Sequence, residues 1–215
     1  MNSQELRTHE KFLRNEYPMT PEHGIPIIQP NQQPLPEFEE MLSFHDIRNH
    51  DRAAEKVTYL VHFFKDDNRF ELMYDEKDEK RDIARIKKLA QYAAVCTPDF
   101  SLFPEMSIAM QQMQIFRSRW CGAHWQYYGL CVVPTITWAD RASYAFCFEG
   151  IQPHSIVAVS TLGCSEFKNQ FLNGYNRMME VLEPDLVICY GKPFDEMDGE
   201  IIFYPYNAFR KKESA

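Results

Sequence analysis

A chain of 215 residues, 45% of them hydrophobic and 14% aromatic, has enough apolar material for one sizeable core, which excludes a chain disordered throughout. A formal charge of −8 argues against a protein that holds duplex nucleic acid chiefly by neutralising phosphates. No stretch approaches the roughly 20 apolar residues of a membrane span, and the N-terminus lacks the apolar run of a secretory signal, so the expectation is a cytoplasmic protein without a membrane partner.

The first 56 residues read as an N-terminal helix followed by a Pro-rich extended segment. Six prolines between Tyr17 and Pro36 (Pro18, Pro21, Pro26, Pro30, Pro34, Pro36) exclude a helix or a central strand there, because each lacks a backbone donor and restricts its predecessor. The apolar Ile25 to Ile28 in their midst suggests a segment lying against the body of the protein.

From Val57 to residue 207 the pattern is that of one α/β domain, with residues 208–215 a solvated tail. Six short apolar or β-branched runs read as strands: Val57 to Phe64, Ala93 to Phe100, Cys131 to Trp138, Ser155 to Thr161, Leu186 to Gly191 and Glu200 to Tyr206. Most are apolar throughout, the mark of strands buried on both faces in a parallel sheet. Between them lie helix-period segments. The first carries the stripe Ile83, Ile86, Leu89, Ala90. The second carries Ala109, Met113, Phe116, Trp120, Ala123, Tyr127, and the third Phe167, Phe171, Tyr175, Met178, Leu182. Repeated βα units with a mainly parallel sheet follow, as a partial barrel or an open sheet. Six scattered cysteines, with no Cys-x-x-Cys pair and no His cluster at zinc spacing, read as reduced, buried thiols.

In parallel α/β folds ligands bind at the C-terminal ends of the strands, under either topology. Those ends carry Lys65, Asp66 and Asp67; Asp99, Ser101 and Glu105; Thr135, Trp138 and Asp140; Ser160 and Thr161; and Tyr190, Gly191 and Lys192. Asp99, Glu105 and Asp140 are the candidate catalytic carboxylates, able to move a proton or to hold a divalent cation, the one cofactor this chemistry suggests. Ser101, Thr135, Ser160, Thr161 and Tyr190 are candidate hydrogen-bonding contacts, with Trp138 as a stacking wall. Gly163, at the opening of a helix, offers backbone amides to an anion, and Lys192 a countercharge.

Each has a plain structural use as well. Asp99 can close an Asx turn, Glu105 can complement a helix N-terminus, and Ser165 can cap the helix after Gly163. Cys164 lacks an evident His or Asp partner for nucleophilic work. On the second helix Arg117, Arg119, Trp125 and Tyr128 read either as a surface for a host or phage protein or as core packing with snorkelling arginines. His62 and His124 read as satisfied core histidines.

Taken in order, "VCTPDFSLFPEM", "FRSRWCGAHWQYYGLCVVPTITWAD", "SYAFCFEGI", "IVAVSTLGC" and "FLNGYNRMMEVLEPDLVICYGKP" resemble domain of unknown function 4417, found in bacteria, phages and mobile elements. The resemblance runs from about Ile25 to Tyr204; Phe146 to Gly150, Ser160, Thr161, Gly163, Tyr190 and Gly191 match its pattern. It implies an accessory gene of a phage or mobile element, acting in the host cytoplasm, and carries no catalytic assignment. The leading expectation is a small anionic ligand, a nucleotide among the candidates, bound at the sheet's C-terminal edge by a hydrolase, a transferase or a binding protein. The rivals are a protein-interaction module built on the Trp and Arg helix, and a DNA-processing accessory factor.

Overall fold

The structure of the chain, a computed structural model, describes residues 17–50 and 56–206, so the expected N-terminal helix and the tail lie outside the described residues. Among the described residues seven parallel strands occur in sequential order: β1 (Glu40–Ser43), β2 (Tyr59–His62), β3 (Ala94–Cys96), β4 (Val132–Val133), β5 (Ile156–Ser160), β6 (Leu186–Tyr190) and β7 (Ile201–Tyr204). The first four form one ladder and the last three another. The two join where Ala158 N donates to Pro134 O and Ile136 N donates to Ala158 O, both at 2.9 Å.

The sheet curls into a partial barrel, with no ladder between β7 and β1 among the described residues. In a flat sheet β2 and β6 would stand about 19 Å apart, four strand spacings of about 4.8 Å. Yet the rings of His62 on β2 and Tyr190 on β6 have centroids 4.1 Å apart. Inward-facing Met41, Leu60, Cys96, Val133, Ala158 and Ile188 share one buried cluster, with Tyr204 of β7 packed against it. At the seam between β7 and β1, Tyr204 stacks on Phe38 at 5.3 Å. Parity along each strand sends Val61, Val95, Val132, Val157 and Val187 outward into a second cluster shared with the helices. This double burial explains why the strands read as continuous apolar runs.

Among the described residues three longer helices cover the outside, after a single turn, α1 (Leu72–Asp75): α2 (Glu79–Leu89), α3 (Ile108–Tyr127) and α4 (Lys168–Leu182). Asp78 caps α2 by accepting from Lys80 N and Arg81 N, and Ser107 caps α3 by accepting from Met110 N. No α-helix joins β4 to β5; a short 3-10 segment, Arg141–Ala145, stands in its place. Among the described residues no helix is long and apolar enough to cross a membrane.

The Pro-rich segment lies across α3. Ile25 and Ile28 are buried, and Ile28 N donates to Gly150 O at 2.8 Å. The approach is so close that a Cβ on Gly150, at φ +75°, would come within 2.3 Å of Pro26 O. With the barrel on one side and this segment on the other, α3 is buried on more faces than its apolar stripe suggests. Gln111, Ser118, Arg119, Gly122 and Trp125 are buried, whereas Met113 and Tyr127 of the expected stripe are exposed. In α4 the stripe from Phe171 to Leu182 is buried as the spacing requires, but Phe167, ahead of the helix, is exposed. All six cysteines are free, four of them buried.

Candidate functional site

Because all strands run the same way, the loops after β2, β3, β4 and β5 gather at one mouth of the barrel. They enclose a pocket of about 490 Å³. Phe64, Lys65 and Asp66 come from the first loop, Asp99 from the second, and Ile136, Thr137 and Trp138 from the third. Ser160, Leu162 and Cys164 come from the end of β5 and its loop, and Phe171 from α4. Phe64 stacks nearly parallel on Tyr190 at 5.5 Å, and both rings lie against His62, so an aromatic layer separates the pocket from the barrel interior.

Asp99 is the group with perturbed chemistry. Burial raises its carboxyl to about 6, partly countered by a hydrogen bond donated from Thr137 Oγ1, with the charge of Asp67 adding to the rise. A carboxyl poised near neutral pH can both take and give a proton, the property required of a general acid–base. Ser160 Oγ donates to Tyr190 O at 3.2 Å and accepts from Leu162 N at 3.1 Å, so it faces the pocket in a fixed orientation. The Cys164 thiol is pushed up to about 11, first by burial and then by Asp99, which keeps it protonated and unreactive at neutral pH. Lys65 is the cation in the lining, beside Asp66.

Of the strand-end residues named from sequence, Lys65, Asp66, Asp99, Trp138 and Ser160 line this pocket, and the other candidates lie outside its lining. Thr135 is buried and its hydroxyl donates to Thr97 O at 2.7 Å, the bond that ties β4 to β3, so it is not free to hold a ligand. Thr161 Oγ1 is buried and donates to Lys192 O at 3.0 Å. Ser101 binds Asp67, with its hydroxyl donating at 2.8 Å. Asp140 caps the 3-10 segment by accepting from Ala142 N at 3.0 Å. Glu105, Gly163 and Lys192 are exposed outside the lining, and Tyr190 lies beneath it. The cap ahead of α4 also differs from expectation. Cys164, not Ser165, holds the N-cap place of the preceding 3-10 turn, without a side-chain bond.

The arginine and aromatic face of α3 divides in the same way. Arg119 is 0% exposed and donates to three backbone carbonyls: Thr135 O and Cys147 O at 2.9 Å, and Glu149 O at 3.1 Å. Trp125 is 1% exposed and stacks on Phe63. Neither is available to a partner. Arg117 lies over the Phe100 ring and donates to Asp75, leaving Tyr128 as the exposed member of the four. His124 bridges Tyr17 and Asp82 at 2.6 and 2.8 Å, and His62 is kept neutral, its pKa lowered to about 3 by burial and then by Lys65.

The residues that sequence reading left out, Thr137, Leu162 and Phe171, follow from the strand-end rule applied one step further. Thr137 lies two residues beyond Thr135 on the same extended stretch, and Phe171 lies in the first turn of the helix that β5 feeds. Among the described residues, the metal-capable side chains that converge are Glu22, His23 and Glu149, on the Pro-rich segment and the loop before β5. Asp99 belongs to no such group among the described residues.

The family described as "Domain of unknown function (DUF4417)" matches residues 17–207. The chain is 36% identical over 199 residues to the Gene 1 protein of Mycobacterium phage L5, an alignment covering 90% of this chain and 83% of that protein. It is 32% identical over 183 residues to the Gene 1 protein of Mycobacterium phage D29, covering 84% of this chain and 64% of that one. No solved structure matches the chain. The chain belongs to the DUF4417 family and is similar to these two phage-encoded proteins.

Proposed function

We propose that the protein, an accessory product of a phage or mobile element, binds a small ligand in the mouth pocket, where Asp99 exchanges a proton with it in a hydrolase or transferase reaction. The observation that carries this reading is a carboxyl raised to about 6 inside a pocket, held by a neighbouring hydroxyl. Trp138 and Phe171 supply an aromatic wall for a planar ring. Lys65 supplies a contact for an anionic group, the place expected from sequence for Lys192.

The lining sets one cation against the carboxyls of Asp66 and Asp99, so it favours a ligand of low negative charge. A nucleoside or its monophosphate suits this balance better than a polyphosphate. Burial of Arg119 and Trp125 takes two of the four residues away from a protein-interaction reading, so the pocket reading is preferred.

Thermal-shift measurements with adenosine, guanosine and their mono- and triphosphates test the reading. A nucleoside or monophosphate is expected to raise the unfolding midpoint of the wild-type protein and to lose that effect in Asp99→Asn. Equal shifts in both proteins would remove Asp99 from the site, and no shift with any of these ligands would contradict the ligand class.

A further inference from the structure

We infer that Gly174, in the middle of α4, is a positioning residue of the mouth pocket: by lacking a side chain it seats the Trp138 indole against the helix and so sets the pocket's width. The inference rests on the reading of the pocket as a ligand site, and it adds the device that holds the pocket's aromatic wall.

A Cβ at Gly174 would lie 2.1 Å from Trp138 Nε1, 2.2 Å from Cδ1 and 2.5 Å from Cε2. These are atoms of a rigid ring, not the tip of a flexible chain, so any other residue displaces the indole or the helix. The backbone does not call for glycine here, since Gly174 is not among the positive-φ glycines. Helix propensity favours alanine in a helix interior. The glycine therefore answers to the indole.

The direction of displacement is decided by what surrounds each partner. α4 is anchored by the buried Tyr175, Met178 and Leu182, and Tyr175 OH donates to Asp198 O at 2.7 Å. The indole packs on Phe171 at 5.1 Å, and it borders the open pocket. A methyl group at position 174 drives the ring into that open volume and takes up the space in which a flat ligand would stack.

The test compares wild type, Gly174→Ala, Trp138→Phe and the double variant. Trp120 and Trp125 are 2% and 1% exposed, so acrylamide quenching of tryptophan emission reports on Trp138. Gly174→Ala is expected to raise quenching and lower the unfolding midpoint, and the midpoint cost should shrink in the Trp138→Phe background. It is also expected to lose the thermal shift given by adenosine monophosphate. Unchanged quenching with a raised midpoint would overturn the inference, because that is what helix propensity alone gives. Quenching needs no ligand. If the nucleotide shifts neither protein while quenching still rises, the ligand reading fails and the seating of Trp138 stands.

Discussion

Thr137 Oγ1 donates to Asp99 Oδ1, joining the loop after β4 to the loop after β3 inside the mouth pocket. Two strands that pair through only Val95–Val132 and Cys96–Val133 are thereby tied again where the site begins. The bond stabilises the charged form of a carboxylate that burial otherwise disfavours. Thr137→Val keeps the shape and removes the donor, so the Asp99 pKa should rise further, by about one unit, given that a hydrogen bond to a charged group contributes on the order of 1.5 kcal/mol. Carboxyl carbon NMR titration of the two proteins checks this, and an unchanged pKa would show that Thr137 does not tune the group.

Asp99 also leaves a signature in stability. Its pKa is 3.8 in the unfolded chain and about 6 in the fold, so between those values the native state holds a proton that the unfolded state has released. Stability from this group therefore falls as pH rises from about 4 to about 6, and the cost at neutral pH is about 1 to 3 kcal/mol. Asp99→Asn, which can still accept from Thr137, should stabilise the protein at neutral pH and have much less effect near pH 4. Urea unfolding of both proteins across that range measures the difference.

His62 acts with the opposite sign. Its pKa falls from 6.5 to about 3 on folding, so between those values the unfolded state binds the extra proton. Stability is lost as pH falls from about 6.5 toward 3. His62→Gln should flatten the acid limb of the stability curve, at some cost in packing against Phe64 and Tyr190. An acid limb as steep as that of wild type would place the acid sensitivity elsewhere.

Arg119 supports the site from behind, since the carbonyl of Thr135 that it binds lies two residues before Thr137 and three before Trp138. A lysine at this position cannot reach three carbonyls on two loops. Arg119→Lys should destabilise the protein by about 2 to 4 kcal/mol, because buried acceptors are left unpaired. Denaturant titration checks the magnitude, and a loss well below 1 kcal/mol would mean that the three bonds contribute little.

The sheet, its parallel sense and the pocket's end of the barrel were legible in the apolar runs, because strands buried on both faces leave an unmistakable composition. β1 was not. Glu39 and Glu40 adjoin a run of only Met41 and Leu42, and its membership depends on pairing with β2. The curl of the sheet depends on contacts such as Tyr190 with Phe64, 126 positions apart in the chain, which periodicity does not encode. The strand-end rule found Asp99, Trp138 and Ser160 but could not tell a hydroxyl that lines the pocket from one buried beside it. Thr135, Ser160 and Thr161 look alike in sequence and each donates to a backbone carbonyl, but of the three only Ser160 lines the pocket. Arg119 was misread for the same reason, since its acceptors come from segments 16 to 30 residues further along.

The central claim is that the mouth pocket around Asp99 and Trp138 holds a small ligand. Native mass spectrometry of protein purified from cells tests it most directly, with wild type compared against Asp99→Asn and Trp138→Ala. The account predicts a small-molecule adduct on the wild-type chain that is diminished or absent in both variants. An adduct retained equally by all three, or a bare chain in every case, would contradict it.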